Sequence, residues 1–277
     1  MRAGFIGLGR QGLPIARRIA GSGTTVTVWA RRPEVARQAV AEWGAALADT
    51  PAAVGHACEV VGICVFDAAG VEEVLFGTYG VTVGMAQGGI VLVHSTVSPE
   101  QIRGFAERAA QRGITVLDAP VSGGPEAAES GELLVLLAGA AAAVERVVPL
   151  VRCFAGQIVQ LGDVGAASLA KLLNNTLLAA QVGLVHDVLE AGRRNGVGEG
   201  LLEVLRAGSG RSFAADLLAA FGSLDALLHS HFGPTIGKDV NLLAEALGRP
   251  DPQPSVLALA ESVNRRIARE TESMRRV

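Results

Sequence analysis

The sequence has little net charge and no long hydrophobic run. Its 24 basic and 27 acidic residues leave a net charge of −3, and the two kinds are interleaved along the chain. Because nucleic-acid binding favours a basic face, we expect no nucleic-acid partner. The longest apolar run, Leu133–Val144, is shorter than the roughly 20 residues that a membrane-spanning helix needs. We therefore expect no membrane partner either.

Cysteine is scarce as well. The three cysteines, Cys58, Cys64 and Cys153, are an odd number, each lies in an apolar stretch, and none forms a CxxC pair. This pattern is typical of a reduced protein without a disulfide framework. A strand-like run begins at Ala3, so we expect no signal peptide and a cytoplasmic location. We expect no metal site, since the close pair His229 and His231 has no neighbouring cysteine.

Lysine is the rarest basic residue. Of the 24 basic residues, 22 are arginine, and the two lysines are Lys171 and Lys238. Arginine does not lose its proton in proteins, whereas the pKa of a buried lysine can fall far enough for acid–base chemistry. Asn175 follows Lys171 at i+4 and shares its helix face, so an amide would stand beside a proton donor. The alternative is a lysine that extends along an apolar surface towards water.

The same scarcity excludes the short-chain dehydrogenases, which need a Tyr-x-x-x-Lys motif. The residues four positions before the two lysines are Ala167 and Pro234, and the single tyrosine is Tyr79.

The first 160 or so residues alternate β-branched runs with helical stretches. The predicted strands are Ala3–Ile6, Thr25–Trp29, Val60–Val65, Ile90–His94, Thr115–Asp118, Leu133–Ala138 and Ile158–Leu161. The predicted helices between them are Leu13–Ala20, Pro33–Glu42, Pro99–Arg112 and Ala142–Val151. This alternation is typical of an α/β fold with a mainly parallel sheet.

Strand patterns end near Gly165, and helical patterns continue to the end of the chain. The predicted helices are Ala166–Asn195, Leu201–Ala207, Phe213–Leu228, Gly237–Leu247 and Val256–Arg276. The sequence therefore predicts two domains, an α/β domain over residues 1–163 and an all-helical domain over residues 164–277.

A glycine-rich loop connects the first predicted strand to the first predicted helix. The run Gly7-Leu8-Gly9-Arg10-Gln11-Gly12 fits G-x-G-x-x-G. In such a loop Gly7 would permit the tight turn, Gly9 the approach of a pyrophosphate, and Gly12 the close packing of helix and strand. We therefore expect these six residues to bind a dinucleotide in a Rossmann-type domain, against the alternative of a purely structural turn.

The second predicted strand ends in Ala30-Arg31-Arg32. An NAD site usually places a carboxylate here for the ribose 2′-hydroxyl, whereas guanidinium groups suit a 2′-phosphate. Arg31 and Arg32 therefore favour NADP over NAD, unless they are only two exposed arginines of an arginine-rich chain.

Four motifs in order make the chain resemble the β-hydroxyacid dehydrogenases, the family of 3-hydroxyisobutyrate dehydrogenase and glyoxylate–succinic semialdehyde reductase. They are Gly4–Pro14, Asp118-Ala119-Pro120-Val121-Ser122-Gly123-Gly124, the Gly162–Asn175 stretch, and Lys238-Asp239. The resemblance extends over essentially the whole chain. It implies a Rossmann-type domain, an all-helical second domain, an active site in the cleft between them, and a homodimer or homotetramer.

The resemblance also implies a role for individual residues. The implied roles are general acid/base for Lys171, substrate positioning for Asn175, carboxylate binding for Ser122, Gly123 and Gly124, substrate and nicotinamide contact for Thr96, cofactor contact for Val65, Phe66 and Lys238, and substrate contact for Phe232 and Asp239. Independently, a Ser-Gly-Gly turn after a strand can present backbone N–H groups to an anion.

The expected reaction is hydride transfer between NADP(H) and a small β-hydroxyacid or semialdehyde that carries a carboxylate. Departures from the family pattern at Ala30, Ala127, Glu132 and Ala167 leave the substrate open. Two other functions stay open, an imine reductase-like enzyme and a non-catalytic NADP-binding sensor.

Overall fold

The computed structural model describes residues 1–248, 256 and 258–265. The chain divides into two compact units, Met1–Lys171 and Leu172–Val277. The division falls inside a long helix rather than at the strand-to-helix transition from which the domain boundary was predicted. The boundary at 163/164 stays a prediction.

The first unit contains nine strands and eight complete helices. The strands are β1 (Ala3–Ile6), β2 (Val26–Trp29), β3 (Ala46–Leu47), β4 (Val60–Ile63), β5 (Ile90–Val93), β6 (Thr115–Asp118), β7 (Val121–Ser122), β8 (Leu133–Leu137) and β9 (Ala155–Gln160). The helices are α1 (Gly12–Gly21), α2 (Pro33–Trp43), α3 (Pro51–Ala57), α4 (Ala68–Phe76), α5 (Val81–Gly84), α6 (Pro99–Ala110), α7 (Gly124–Ser130) and α8 (Ala141–Val151).

Six strands form one parallel sheet in the order β3-β2-β1-β4-β5-β6. This order, in which the chain starts at the centre and winds outwards in both directions, confirms the Rossmann-type fold. Every residue of β1, β4 and β5 is buried. Burial of whole strands is expected for a parallel sheet covered on both faces, which explains the uninterrupted apolar runs in the sequence.

The register aligns the carboxyl ends of five neighbouring strands. Trp29 pairs with Ile6, Ile6 with Ile63, Ile63 with Val93, and Val93 with Asp118. The loops that follow these residues therefore leave the sheet at one edge. In open α/β sheets this is the edge at which ligands bind.

A smaller sheet joins β7, β8 and β9, antiparallel between β7 and β8 and parallel between β8 and β9. An isolated bridge between Asp118 and Ala138 connects β6 to the end of β8. The two sheets of the first unit are thus continuous at Asp118.

The second unit is helical wherever the structure describes regular elements in it, which confirms the predicted change of fold. Its helices are α9 (Ala166–Arg194, which begins in the first unit), α10 (Gly200–Ala207), α11 (Phe213–Phe221), α12 (Leu224–His229) and α13 (Phe232–Ala246). Residues 256 and 258–265 are also helical, and the rest of the predicted helix Val256–Arg276 lies outside the described residues. None of the described helices is both long and apolar enough to cross a membrane.

Two helix predictions in this unit were wrong. The predicted helix Phe213–Leu228 is two helices, because Gly222 adopts a left-handed conformation (φ 77°) and Ser223 caps α12 with a hydroxyl that accepts from the Ala226 N–H. Helix α13 begins at Phe232 rather than at Gly237. In the first unit the short elements β3, β7, α3, α4, α5 and α7 were not predicted.

Candidate active site

The loop between β1 and α1 has the geometry that a dinucleotide requires. Gly7 has φ 94°, and a Cβ there would collide with the Cys64 carbonyl oxygen. A Cβ on Gly12 would collide with the Gly7 carbonyl oxygen, whereas a Cβ on Gly9 would meet nothing within 4 Å. The turn is therefore tight at its two ends and open in its middle. These residues fit a bound pyrophosphate, because backbone N–H groups can approach it at Gly9.

Arg31 and Arg32 follow β2 at the same edge of the sheet, and both are exposed. Arg32 directly precedes Pro33, the first residue of α2. Among the described residues, neither guanidinium group forms a hydrogen bond or an ion pair. Both can therefore turn towards a phosphate without breaking an existing contact.

Two further loops at this edge are connected by Ser95. The buried Ser95 hydroxyl accepts a hydrogen bond of 2.9 Å from the Val65 N–H. Val65 and Phe66 follow β4, and Thr96 follows β5. The Phe66 side chain is 63% exposed, so it is not part of the core. Val65, Phe66 and Thr96 were predicted as site residues but Ser95 was not, because nothing in the sequence pairs it with Val65.

The Ser122-Gly123-Gly124 turn lies close to the glycine-rich loop. Ser122 ends β7, and Gly123 and Gly124 both have positive φ, 127° and 78°. The Gln11 amide Nε2 lies 3.4 Å from the Gly124 carbonyl oxygen, to which it donates. The structure therefore brings together the two loops that the sequence assigned to a dinucleotide and to an anion.

Lys171 lies near the start of α9, and its side chain is buried although it carries an ionisable amine. The residue is 8% exposed, and Asn175, one turn further along the helix, is 6% exposed. The two residues therefore share a buried face of α9. A lysine that merely extended along the surface into water would be more exposed.

Asn175 is held by Asp239, which is fully buried. The Asn175 Nδ2 donates to Asp239 Oδ2 at 2.6 Å, and its Oδ1 accepts from the Asn174 Nδ2 at 3.1 Å. The Lys238 Nζ lies 3.2 Å from the second carboxylate oxygen of Asp239. These contacts define which way the Asn175 amide faces. Within the residues that the structure describes, these bonds leave one N–H and one lone pair of the amide for a ligand.

Phe232 lies at the start of α13 and packs, half-buried, against two hydrophobic clusters of the second unit. Its core packing is therefore clear, and its predicted contact with a substrate stays a prediction. No group of three or more His, Cys, Asp or Glu side chains in the described part of the chain is arranged to hold a metal ion.

His94 is a buried titratable residue that was not predicted from the sequence. Its Nδ1 donates to the Ala119 carbonyl oxygen at 2.8 Å, and its ring stacks on Phe5 and meets Phe154 edge-on. Burial lowers the pKa of His94 to about 4. The ring is therefore neutral near pH 7, and it ties β5 to the segment that follows β6.

Comparison with known proteins supports the same interpretation. Residues 2–162 match the family described as the NAD binding domain of 6-phosphogluconate dehydrogenase. The chain is 32% identical over 245 residues to 3-hydroxyisobutyrate dehydrogenase of Pseudomonas aeruginosa, which covers 88% of this chain and 82% of that protein. It is 34% identical over 212 residues to L-threonate dehydrogenase of Cupriavidus necator, covering 76% and 71%.

A solved structure described as Psf3 in complex with NADP+ and 2-OPP has the same fold. It matches with a TM-score of 0.82 and 28% identity, over 94% of this chain and 92% of that chain. Together with the parallel sheet, the glycine-rich loop and the helical second unit, these matches identify the chain as a member of the β-hydroxyacid dehydrogenase family, an oxidoreductase with an NAD(P)-binding domain.

Proposed function

We propose that the protein is an NADP(H)-dependent oxidoreductase that interconverts a small β-hydroxyacid and its semialdehyde, with Lys171 as the general acid/base. The observation that carries the proposal is the buried amine of Lys171, one helical turn from an amide that Asp239 orients. A binding protein without turnover would need neither group. The resemblance of these motifs to those of the family supports the same roles.

A nicotinamide dinucleotide held by the Gly7–Gly12 loop would supply the hydride-transfer chemistry. Arg31 and Arg32 support NADP(H), because two exposed guanidinium groups at the end of β2 can grip a 2′-phosphate and no carboxylate follows β2 directly. The structurally similar protein Psf3 was solved in complex with NADP+, which supports the same preference. Val65, Phe66, Thr96 and Lys238 complete the proposed cofactor contacts.

Lys171 would move the proton of the reaction. In the reducing direction its ammonium group gives a proton to the oxygen that becomes the hydroxyl, and in the oxidising direction its amine accepts that proton. Partial desolvation disfavours the charged form of a lysine, which assists both directions. Asn175 would hold the same oxygen through its remaining N–H.

The Ser122-Gly123-Gly124 turn would bind the carboxylate of the substrate. Neither Gly123 nor Gly124 carries a side chain, so an anion can approach their backbone N–H groups closely. The names of the two curated relatives, 3-hydroxyisobutyrate dehydrogenase and L-threonate dehydrogenase, indicate small hydroxyacids. A small hydroxyacid is therefore the proposed substrate class.

The test is consumption of NADPH and NADH with a panel of substrates. The panel holds glyoxylate, succinic semialdehyde, methylmalonate semialdehyde, tartronate semialdehyde and one cyclic imine. We expect turnover of at least one semialdehyde, and Lys171→Ala and Lys171→Arg should both lower kcat by about 10³-fold while NADPH binding stays within about twofold. Turnover in either variant at the wild-type rate, or turnover of the imine alone, would contradict the proposal.

The cofactor preference is tested with a matched set of arginine variants. Replacement of Arg31 and Arg32 by Ala should raise the KM for NADPH by roughly tenfold or more and leave the KM for NADH nearly unchanged, since only NADPH carries the 2′-phosphate. The control is Arg37→Ala, which removes an exposed arginine from α2, the helix that follows Arg31 and Arg32. An equal effect on both cofactors would remove the assignment of Arg31 and Arg32 to the phosphate.

A homodimer is proposed from the surface of α9. Leu173, Leu177, Leu184 and Val188 are each more than 40% exposed, and their spacing of four, seven and four residues places them on one helix face. A second copy of the chain could cover them. Light scattering should give a dimer for the wild type and a smaller species for a variant with Leu177→Glu and Leu184→Glu, and a monomeric wild type would contradict the proposal.

A further inference from the structure

The carboxylate of Asp118 is fully buried at the end of β6. Its Oδ2 accepts two backbone hydrogen bonds, from the Gly165 N–H at 3.1 Å and from the Ser168 N–H at 2.9 Å. These donors are 47 and 50 residues further along the chain. The side chain therefore connects the sheet to the start of α9.

The backbone around Asp118 is itself held on two sides. The Ala119 N–H donates to the Val93 carbonyl oxygen at 2.9 Å, and the Ala138 N–H donates to the Asp118 carbonyl oxygen at 3.0 Å. The first bond belongs to the large sheet, and the second connects to the small one. The carboxylate thus extends from a rigid part of the first unit.

The N-cap position at the start of α9 carries no side chain. The first helical hydrogen bond runs from the Leu169 N–H to the Gly165 carbonyl oxygen, which places Gly165 at the N-cap position. An N-cap serine or aspartate would accept from the N–H of the third helical residue, which is Ser168 here, but glycine has no side chain. Asp118 supplies the missing acceptor from β6, and its negative charge suits the N-terminus of a helix.

A side chain at position 165 could not readily supply this acceptor. Its φ is 99°, and a Cβ there would lie 2.7 Å from the Arg103 guanidinium and 3.2 Å from the Pro99 carbonyl oxygen. A capping residue at position 165 would therefore be strained. The acceptor for the Ser168 N–H has to come from elsewhere in the fold.

Lys171 lies three residues after Ser168, so the placement of the first turn of α9 determines where its amine stands. Four residues after Asp118 along the chain comes Ser122, the start of the proposed carboxylate-binding turn. We propose that Asp118 is a positioning residue, whose backbone leads into the Ser122–Gly124 turn while its side chain anchors the helix that carries Lys171. The role rests on the proposed function, because it concerns the distance between these two groups.

The test compares Asp118→Ala and Asp118→Asn with the wild type. Asp118→Ala removes the acceptor, and we expect kcat to fall by about 10²-fold because small displacements of a catalytic group have effects of this size. The Kd for NADPH should stay within about twofold. Asp118→Asn retains one carbonyl oxygen but loses the charge, which weakens both bonds, so its kcat should fall by only about fivefold.

Amide hydrogen exchange reports on the anchor without any substrate. In Asp118→Ala the Gly165 and Ser168 amides should exchange at least about tenfold faster than in the wild type, and in Asp118→Asn the increase should be smaller. The control is Thr50→Ala, which removes a hydroxyl that accepts from the Ala53 N–H at the start of α3 and leaves α9 intact. Its kcat and its exchange at Gly165 and Ser168 should equal those of the wild type.

Unchanged kcat and unchanged exchange at both amides in a folded Asp118→Ala variant would overturn the proposal. If that variant does not fold, the same two results in Asp118→Asn would overturn it. A wild type without turnover of any hydroxyacid or semialdehyde would instead disprove the proposed function, and the exchange data would still show whether Asp118 anchors α9. The two failures are therefore distinguishable.

Discussion

Asp118 in the first unit and Asp239 in the second are both fully buried carboxylates, but they accept from different donors. Asp118 accepts from two backbone N–H groups, whereas Asp239 accepts from the side-chain amide of Asn175 and has the Lys238 amine 3.2 Å away. Backbone donors determine where a helix begins, and a side-chain donor determines how one amide is turned. The first arrangement positions an element, and the second orients a single functional group.

The two environments also differ in charge. Burial raises the pKa of Asp118, and the N–H groups of Ser168 and Gly165 oppose that rise only in part. Asp239 has a cation beside it, which offsets the cost of burying a charge. Ionisation of the first carboxylate is therefore expected to lower the stability of the folded chain, while its two backbone hydrogen bonds define the helix start.

The largest expected effect is a loss of kcat in variants of Asn175 and Asp239. Measuring it tests whether Asp239 acts only through Asn175. Asn175→Ala and Asp239→Ala should each lower kcat by about 10²- to 10³-fold, the range seen when one hydrogen-bond donor to a developing charge is removed. Because the two side chains act as one unit, the double variant should be no worse than the more damaging single variant.

The control for this cycle is Asp225→Ala, which removes an exposed carboxylate on α12 and should leave kcat unchanged. Losses that multiply in the double variant would show that Asp239 has a separate role at the substrate, as the family resemblance implies. Asp239 would then do more than orient Asn175.

The next effect is on the pH dependence of the unfolding free energy, and it concerns His94. Like Asp118, His94 is buried in the first unit and forms a hydrogen bond with the backbone. Its pKa is about 4 in the folded chain and about 6.5 when exposed, so the unfolded chain takes up a proton first as the pH falls. The stability that the neutral ring contributes is therefore complete above pH 6.5 and is lost between pH 6.5 and 4. The loss amounts to about 3 kcal/mol of unfolding free energy.

Urea unfolding at several pH values measures this loss. His94→Gln keeps a donor for the Ala119 carbonyl oxygen but does not titrate, so its unfolding free energy should fall less over this pH range than that of the wild type. His56→Gln, at an exposed position on α3, should behave like the wild type. If the unfolding free energies of the wild type and of His94→Gln fall by the same amount over this pH range, titration of His94 does not cause the loss.

The smallest expected effect is the pH dependence of stability at Asp118. Because burial raises the pKa of this carboxyl, the folded chain binds its proton more tightly than the unfolded chain does. The contribution of Asp118 to the unfolding free energy is most favourable at pH values below the ordinary pKa of an aspartate. It decreases as the pH rises through the raised pKa. The unfolding free energy of wild type minus that of Asp118→Asn should therefore decrease from acid to neutral pH. An increase would show that hydrogen bonding outweighs burial.

Local patterns were sufficient for five of the six strands of the large sheet and for the loop that follows β1. The apolar runs predicted β1 and β6 with the observed bounds, and a strand, a glycine pattern and a helix in direct succession predicted the tight turn at Gly7. Patterns were insufficient for α3, α4 and α5, because a glycine interrupts each of the first two and the third has only four residues. The break at Gly222 was missed because leucine and alanine continue the helical pattern on both sides of it.

Such patterns could not predict which residues of the candidate site form hydrogen bonds with each other. Asn175 was predicted as a site residue, but its bond to Asp239 spans 64 positions, and the bond from Ser168 to Asp118 spans 50. Contacts at that separation depend on how whole elements pack. A sequence motif shows which residue types belong to the site. It does not show which of them form hydrogen bonds with each other.

The sequence by itself determined the fold class, the glycine-rich loop and the two lysines in an arginine-rich chain, because backbone conformation and side-chain chemistry are local properties. Only the tertiary structure decided that Asp118 caps α9 and that Asp239 orients Asn175. Both carboxylates are buried, and a buried carboxylate must find donors within the fold. Which donors it finds depends on the strands and helices that packing brings to it.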